Sequence, residues 1–135
     1  MKYSNVVVAG GGVLGSQIAF QAAYCGFNVT IWLRSEGSIG RTQPKIDHLK
    51  QTYIEAIEKM AEDKNAWCAG LADEDTFDKE ECLKKVENAY ANLKLELDMA
   101  KAVADADLVI ESMAENEKDK IASMKSFHHF FRTRL

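Results

Sequence analysis

The sequence predicts an α/β protein built on a parallel sheet. Three observations point there. "VVVAGGGVLGSQIAF", residues 6–20, sets three adjacent glycines between an apolar run and a segment of helical period. Apolar runs alternate along the chain with helix-period segments, the pattern of strands joined by helical crossovers. Two of the runs, Asn5 to Ala9 and Leu108 to Glu111, are apolar on both faces, as strands covered from both sides require.

The elements follow in order. Asn5 to Ala9 reads as the first strand. Leu14, Ile18, Ala22 and Cys25 recur at helical spacing, and Gly26 stands where a helix-terminating glycine belongs. Asn28 to Leu33 is the second strand. "RSEGSIGRTQP" reads as a loop. Pro44 suits the first turn of a helix capped by Thr42 or Gln43, with Ile46, Leu49, Tyr53, Ile57 and Met60 along its apolar face. After an irregular connection Thr76 is the expected cap of a second helix. Phe77, Leu83, Val86 and Tyr90 form its inner face, and Glu80 and Glu81 lie early, as the helix dipole favours. Leu93 to Glu96 is a short strand, Asp98 to Ala104 a short helix, Leu108 to Glu111 a buried strand, and a further helix begins near Glu117. With right-handed crossovers this order gives a Rossmann-type sheet of about four strands in the order 3-2-1-4. The sheet is truncated, and a helical pair is inserted between strands 2 and 3. The strand order reverses between strands 1 and 4, so a ligand is expected above their carboxyl ends, at Gly10 to Gly15 and at Ser112 to Asn116.

Gly10, Gly12 and Gly15 fit G-x-G-x-x-G. The first allows the turn, the second admits a pyrophosphate against the backbone, and the third lets helix and strand pack closely. The helix start then favours an anion. Gly10, Gly11, Gly12, Val13, Leu14 and Gly15 are the expected cofactor-binding loop. The 135 residues suffice for one domain, and a net charge of −4 argues against nucleic acid as the partner. Cys25, Cys68 and Cys82 lack metal-ligand spacing, so no metal is expected and a reducing, cytoplasmic setting is. No stretch approaches the length of a membrane span.

"VVVAGGGVLGSQIAFQAAYCGFNVTIW" and "ADADLVIESMAENEKDK" together resemble the 3-hydroxyacyl-CoA dehydrogenases, including the 3-hydroxybutyryl-CoA enzymes. The likeness runs from Lys2 to about Met124. It implies a dinucleotide-binding domain, residues 1–124 here and incomplete, from an enzyme of fatty acid metabolism that moves a hydride between 3-hydroxyacyl-CoA and a nicotinamide. It also implies that Glu115 and Lys120 lie near the nicotinamide ribose. A solvated helix start with an ordinary charge pair would give the same two residues.

Three features depart from the family. Its NAD enzymes carry an acid at the end of the second strand, where this chain has Leu33 followed by Arg34 and Ser35. An arginine there suits a 2′-phosphate, so NADP is favoured over NAD and Arg34 joins the expected cofactor site. The family's catalytic histidine lies beyond a fifth strand and its helical domain follows. This chain ends earlier, and His48, His128 and His129 match no motif, so no catalytic residue is assigned and the chain alone is expected to be inactive. Finally, "KSFHHFFRTRL", residues 125–135, is an atypical basic and aromatic tail. With the fifth strand missing, an open strand edge predicts self-association. Two other readings remain: a stand-alone NAD(P)-sensing module, and a fragment of a 3-hydroxyisobutyrate- or 6-phosphogluconate-type dehydrogenase.

Overall fold

A computed structural model describes residues 4–113 and residue 125. The strands are β1 (Asn5–Ala9), β2 (Asn28–Trp32), β3 (Lys94–Glu96) and β4 (Leu108–Glu111). The α-helices are α1 (Val13–Tyr24), α2 (Glu36–Glu62), α3 (Lys79–Asn92) and α4 (Met99–Val103), with two short 3-10 turns between α2 and α3. The sheet is parallel in the order β3-β2-β1-β4, as the right-handed crossover rule requires. β1 is central, and Asp107 anchors it by accepting the amides of Ser4 and Asn5, each at 2.9 Å.

Period-two alternation divides β1 between two cores. Val6 and Val8 point to the larger one, with Phe20, Ile31, Ile57 and Val86, beneath α1, α2 and α3. Val7 and Ala9 point to the smaller one, with Trp32, Ala102 and Val103, beneath α4. Phe20, Ile31 and Ile57 are fully buried, worth about 1.5–3 kcal/mol each. The expected inner faces of the helical pair are present: Ile46, Ile57 and Met60 of α2 and Val86 of α3 are buried, and Leu49, Tyr53, Leu83 and Tyr90 pack against them.

Four local expectations are corrected. The buried face of α1 is Gly15, Ser16, Ala19, Phe20, Ala23 and Tyr24; of the predicted stripe Ile18 and Ala22 pack half-buried against the core, while Leu14 and Cys25 are exposed. The apolar side chains at Val13 and Leu14 disguise that face, because they stand over the glycine loop and not over the core. The segment from Glu36 is helix, not loop, although Gly37, Gly40 and Pro44 all disfavour helix and Pro44 alone costs about 3 kcal/mol in a helix interior. Tertiary contact outweighs that cost: Ile39 and Ile46 pack on the larger core, and Thr42 is buried. Thr42 therefore caps nothing; its hydroxyl donates to the Gly11 carbonyl. Lastly, α3 is capped by Asp78, whose carboxylate accepts the Glu80 and Glu81 amides, and not by Thr76, which ends a 3-10 turn. The helix expected near Glu117 lies outside the described residues.

The expected end of α1 is present. Gly26 adopts φ +102°. Its N–H donates to Ala23 O and that of Phe27 to Ala22 O, the paired bonds that close a helix on a left-handed residue.

Candidate functional site

The carboxyl ends of β1 and β4 meet at the glycine loop. Gly10 leaves β1 at φ +116°, a conformation that L side chains rarely adopt. Its N–H donates to Trp32 O at 3.0 Å, and the Ser112 N–H donates to Ala9 O at 2.8 Å, so the turn is tied to both neighbouring strands. A Cβ at Gly10 would collide with the Ser112 carbonyl, and one at Gly15 with the Gly10 carbonyl. These two glycines serve close packing of backbone on backbone.

Gly12 differs. A Cβ there would meet nothing within 4 Å. It is the N-terminal cap of α1 and, lacking a side chain, leaves the leading N–H groups of the helix open to whatever occupies that space. No acid stands in the helix's first turn, so its positive end is uncompensated.

Gly11 carries the loop's internal support. Its carbonyl accepts the Ser16 hydroxyl at 3.1 Å and the Thr42 hydroxyl at 3.0 Å. Ser16 and Thr42 are the two buried polar side chains among the described residues. A Cβ at Gly11 would collide with Thr42 Oγ1 and stand 2.6 Å from Leu33 Cδ2. The middle glycine, which the G-x-G-x-x-G pattern leaves unspecified, is therefore required by α2 and by the end of β2.

Above the loop opens a cleft of about 470 Å³. Gly10 to Gly15 form its floor, Trp32, Leu33 and Arg34 one wall, and Ser112 and Met113 the other. The start of α2 closes it with Ser38, Arg41, Thr42 and Lys45. Among the described residues three cations and no carboxylate line it, a distribution that favours an anionic ligand. The acids nearest the strand ends are engaged by their own backbone. Glu96 accepts the amides of Leu97 and Asp98, and Glu111 accepts that of Met113.

The structure thus brings together Gly10, Gly11, Gly12, Val13, Leu14, Gly15 and Arg34 of the residues read from the sequence. Glu115, Lys120, His128 and His129 lie outside the described residues. His48 is exposed on α2 and is absent from the cleft lining, but it borders an adjoining pocket with Val13 and Lys45. Sequence reasoning missed Ser38 and Arg41 at the cleft and the support of Gly11 by Ser16 and Thr42. A loop reading of residues 34–44 hides the helical phase that aims those side chains.

The helical pair is fastened beside this cleft. Tyr90 donates to Asp47 at 2.6 Å and holds its carboxyl below the usual carboxylate range, with help from Gln43. Lys50 lies 3.3 Å from Glu87 and 4.5 Å from the Tyr90 ring centre. Among the described residues no cluster of metal-ligating side chains exists, and no helix is long and apolar enough to cross a membrane.

Comparison with known proteins adds the family. Residues 5–134 match the 3-hydroxyacyl-CoA dehydrogenase NAD-binding domain. The mitochondrial hydroxyacyl-coenzyme A dehydrogenases of Sus scrofa and Rattus norvegicus are 29% and 30% identical to it over 126 and 116 residues. Those matches cover 93% and 86% of this chain but 35% and 32% of the relatives, so the chain spans about a third of their length. The solved structure of a diketoreductase superposes with a TM-score of 0.72 at 30% identity, covering 96% of this chain and 38% of that one. The glycine cleft, the sheet order and these likenesses agree: the chain belongs to the 3-hydroxyacyl-CoA dehydrogenase family and is its NAD-binding domain.

Proposed function

We propose that the cleft over Gly10 to Gly15 holds a nicotinamide dinucleotide for an oxidoreductase acting on 3-hydroxyacyl-CoA and 3-ketoacyl-CoA. The observation that carries this is the division of labour in the loop. Gly10, Gly11 and Gly15 are filled against by protein, whereas Gly12 faces open space at the start of a helix. A pyrophosphate fits there: backbone N–H groups supply the donors and the helix dipole supplies the field. When bound, the dinucleotide supplies the hydride acceptor. The chain's own residues bind and orient it. Val13 and Leu14, both largely exposed, present an apolar shelf above the loop. By resemblance, Glu115 and Lys120 lie near the nicotinamide ribose.

NADP is the preferred form in this reading. Leu33 stands where an acid would accept the adenosine ribose hydroxyls; it is buried against the glycine loop. Arg34 follows it at the cleft wall. A charge-assisted bond from Arg34 to a 2′-phosphate at an exposed site is worth roughly tenfold in affinity.

The dinucleotide-binding unit is taken as residues 1–124, with 125–135 a separate basic tail and the cytoplasm its compartment. The relatives are about three times as long, and in this reading the 135-residue chain binds cofactor without turning over. Self-association is proposed from β4. Among the described residues no strand pairs with its outer edge, where Leu108 is 42% exposed, and an open edge of this kind recruits other chains.

Calorimetric titration of the chain with NADPH and NADH tests the reading. Saturable binding, abolished in Gly12→Val, is the expected result; affinity unchanged by that substitution would remove the site from the loop.

A further inference from the structure

Arg41, on the first two turns of α2, is turned back toward the helix start. Its Nη2 donates to Ser38 Oγ at 3.0 Å, and Ser38 Oγ lies 3.2 Å from Ser35 Oγ. The ideal Cβ position of Gly37 is 3.4 Å from Arg41 Nη1. The guanidinium therefore lies over the bare first turn, at the positive end of the helix dipole, where a cation is disfavoured. Arg34 lines the same cleft, so a second cation shares that end, against Glu36 as the one acid in the first turn. Ser35 is in the N-terminal cap position, and serine there ordinarily accepts a bond from the helix amides. Its side chain makes no such bond and pairs with Ser38 instead. Two arginines near a dipole that repels them, beside two hydroxyls linked to each other, describe a site shaped for a doubly charged anion.

We propose that Arg41, held by Ser38, is the second ligand of the ribose 2′-phosphate and a specificity-determining residue for NADP over NAD. The proposal rests on the NADP reading above and adds to it a preformed cradle on α2. The phosphomonoester would sit between the Arg34 and Arg41 guanidinium groups, accepting from both and from the Ser38 hydroxyl. Arg41 would touch nothing that NAD and NADP share, so its removal should leave NADH binding alone.

The test is calorimetric titration of the chain and of Arg34→Ala, Arg41→Gln and Ser38→Ala with NADPH, NADH, adenosine 2′,5′-bisphosphate and adenosine 5′-monophosphate. Thermal melting of each variant checks that it is folded. The wild-type chain should prefer the 2′-phosphorylated member of each pair. Arg41→Gln should lose roughly tenfold in affinity for NADPH and for the bisphosphate, with NADH and the monophosphate unchanged. Ser38→Ala should lose less, in the same direction, and added salt should narrow the wild-type preference. A wild-type preference that survives whole in Arg41→Gln but falls in Arg34→Ala overturns the role of Arg41 and leaves the NADP reading standing. Equal wild-type affinities for NADPH and NADH, or no binding of either, overturn that reading and this proposal with it. An equal loss of NADH and NADPH binding in a folded Arg41→Gln chain overturns the 2′-phosphate assignment alone.

Discussion

The Gly11 carbonyl accepts one hydroxyl from α1 and one from α2. Either bond alone satisfies the carbonyl, and losing both strands it. Ser16→Ala and Thr42→Val should each destabilise by about 1 kcal/mol. The double variant should cost more than their sum, because only then is the polar group left unpaired. Denaturant unfolding of the four proteins measures that coupling, and strict additivity would show that the hydroxyls do not share the carbonyl. The glycines make a complementary set. Gly10→Ala meets both an adverse φ and the Ser112 carbonyl, so it should destabilise by about 1–3 kcal/mol or more. Gly12→Ala, open on every side, should melt near the wild-type temperature while weakening the dinucleotide. A Gly12→Ala chain that is as destabilised as Gly10→Ala would contradict that division.

At the scale of elements, α1 and α2 meet at Tyr53, whose ring stands edge-on to Phe20 at 4.6 Å and whose hydroxyl donates to Gln21. Burial, with Cys25 nearby, pushes the Tyr53 phenol up to about 12. The unfolded value is about 10. A folded pKa above the unfolded one means that the contribution is whole below pH about 10 and is lost as pH rises through about 12. The chain should therefore lose stability across that alkaline window, and Tyr53→Phe should flatten the loss; urea midpoints measured across it read the effect. α3 offers a simpler check. Asp78→Ala should cost about 1 kcal/mol, the usual worth of an N-terminal cap, where Thr76→Ala should cost little. These elements also mark what the sequence made legible. The strand positions and the α2 and α3 core faces follow from apolar runs and helical period, which are local signals, and the strand order from the crossover rule; β4, expected to be buried, is instead exposed at Leu108 and half-buried from Val109 to Glu111. The start of α2 does not follow from local signals, because its glycines and Pro44 argue against helix and only contacts distant in sequence, Thr42 to Gly11 above all, reverse that. The same distance hid Arg41 and Ser38. The places of the glycine loop and of Arg34 at the cleft are legible because each follows closely on the end of a strand.

As a whole, the chain is the NAD-binding domain of its family and spans about a third of its relatives' length. Its described residues place cations, open helix donors and an apolar shelf around one cleft. They include no histidine paired with an acid beside it. On the proposed reading the 135-residue chain shows no turnover of 3-ketoacyl-CoA with either nicotinamide cofactor, a general base being worth about 10²- to 10⁴-fold. Sustained turnover that disappears in Gly12→Val would contradict this. The outer edge of β4, which no strand among the described residues pairs with, bears on assembly. Light scattering should report particles larger than one chain at micromolar concentration, and a monomer that binds no apolar dye would show the edge to be covered. The central claim is that the glycine cleft binds a nicotinamide dinucleotide. Titrating NADPH into the wild-type and Gly12→Val chains by calorimetry tests it most directly. The account predicts one saturable site in the first and none in the second, with both melting alike; equal binding by the two chains would contradict it.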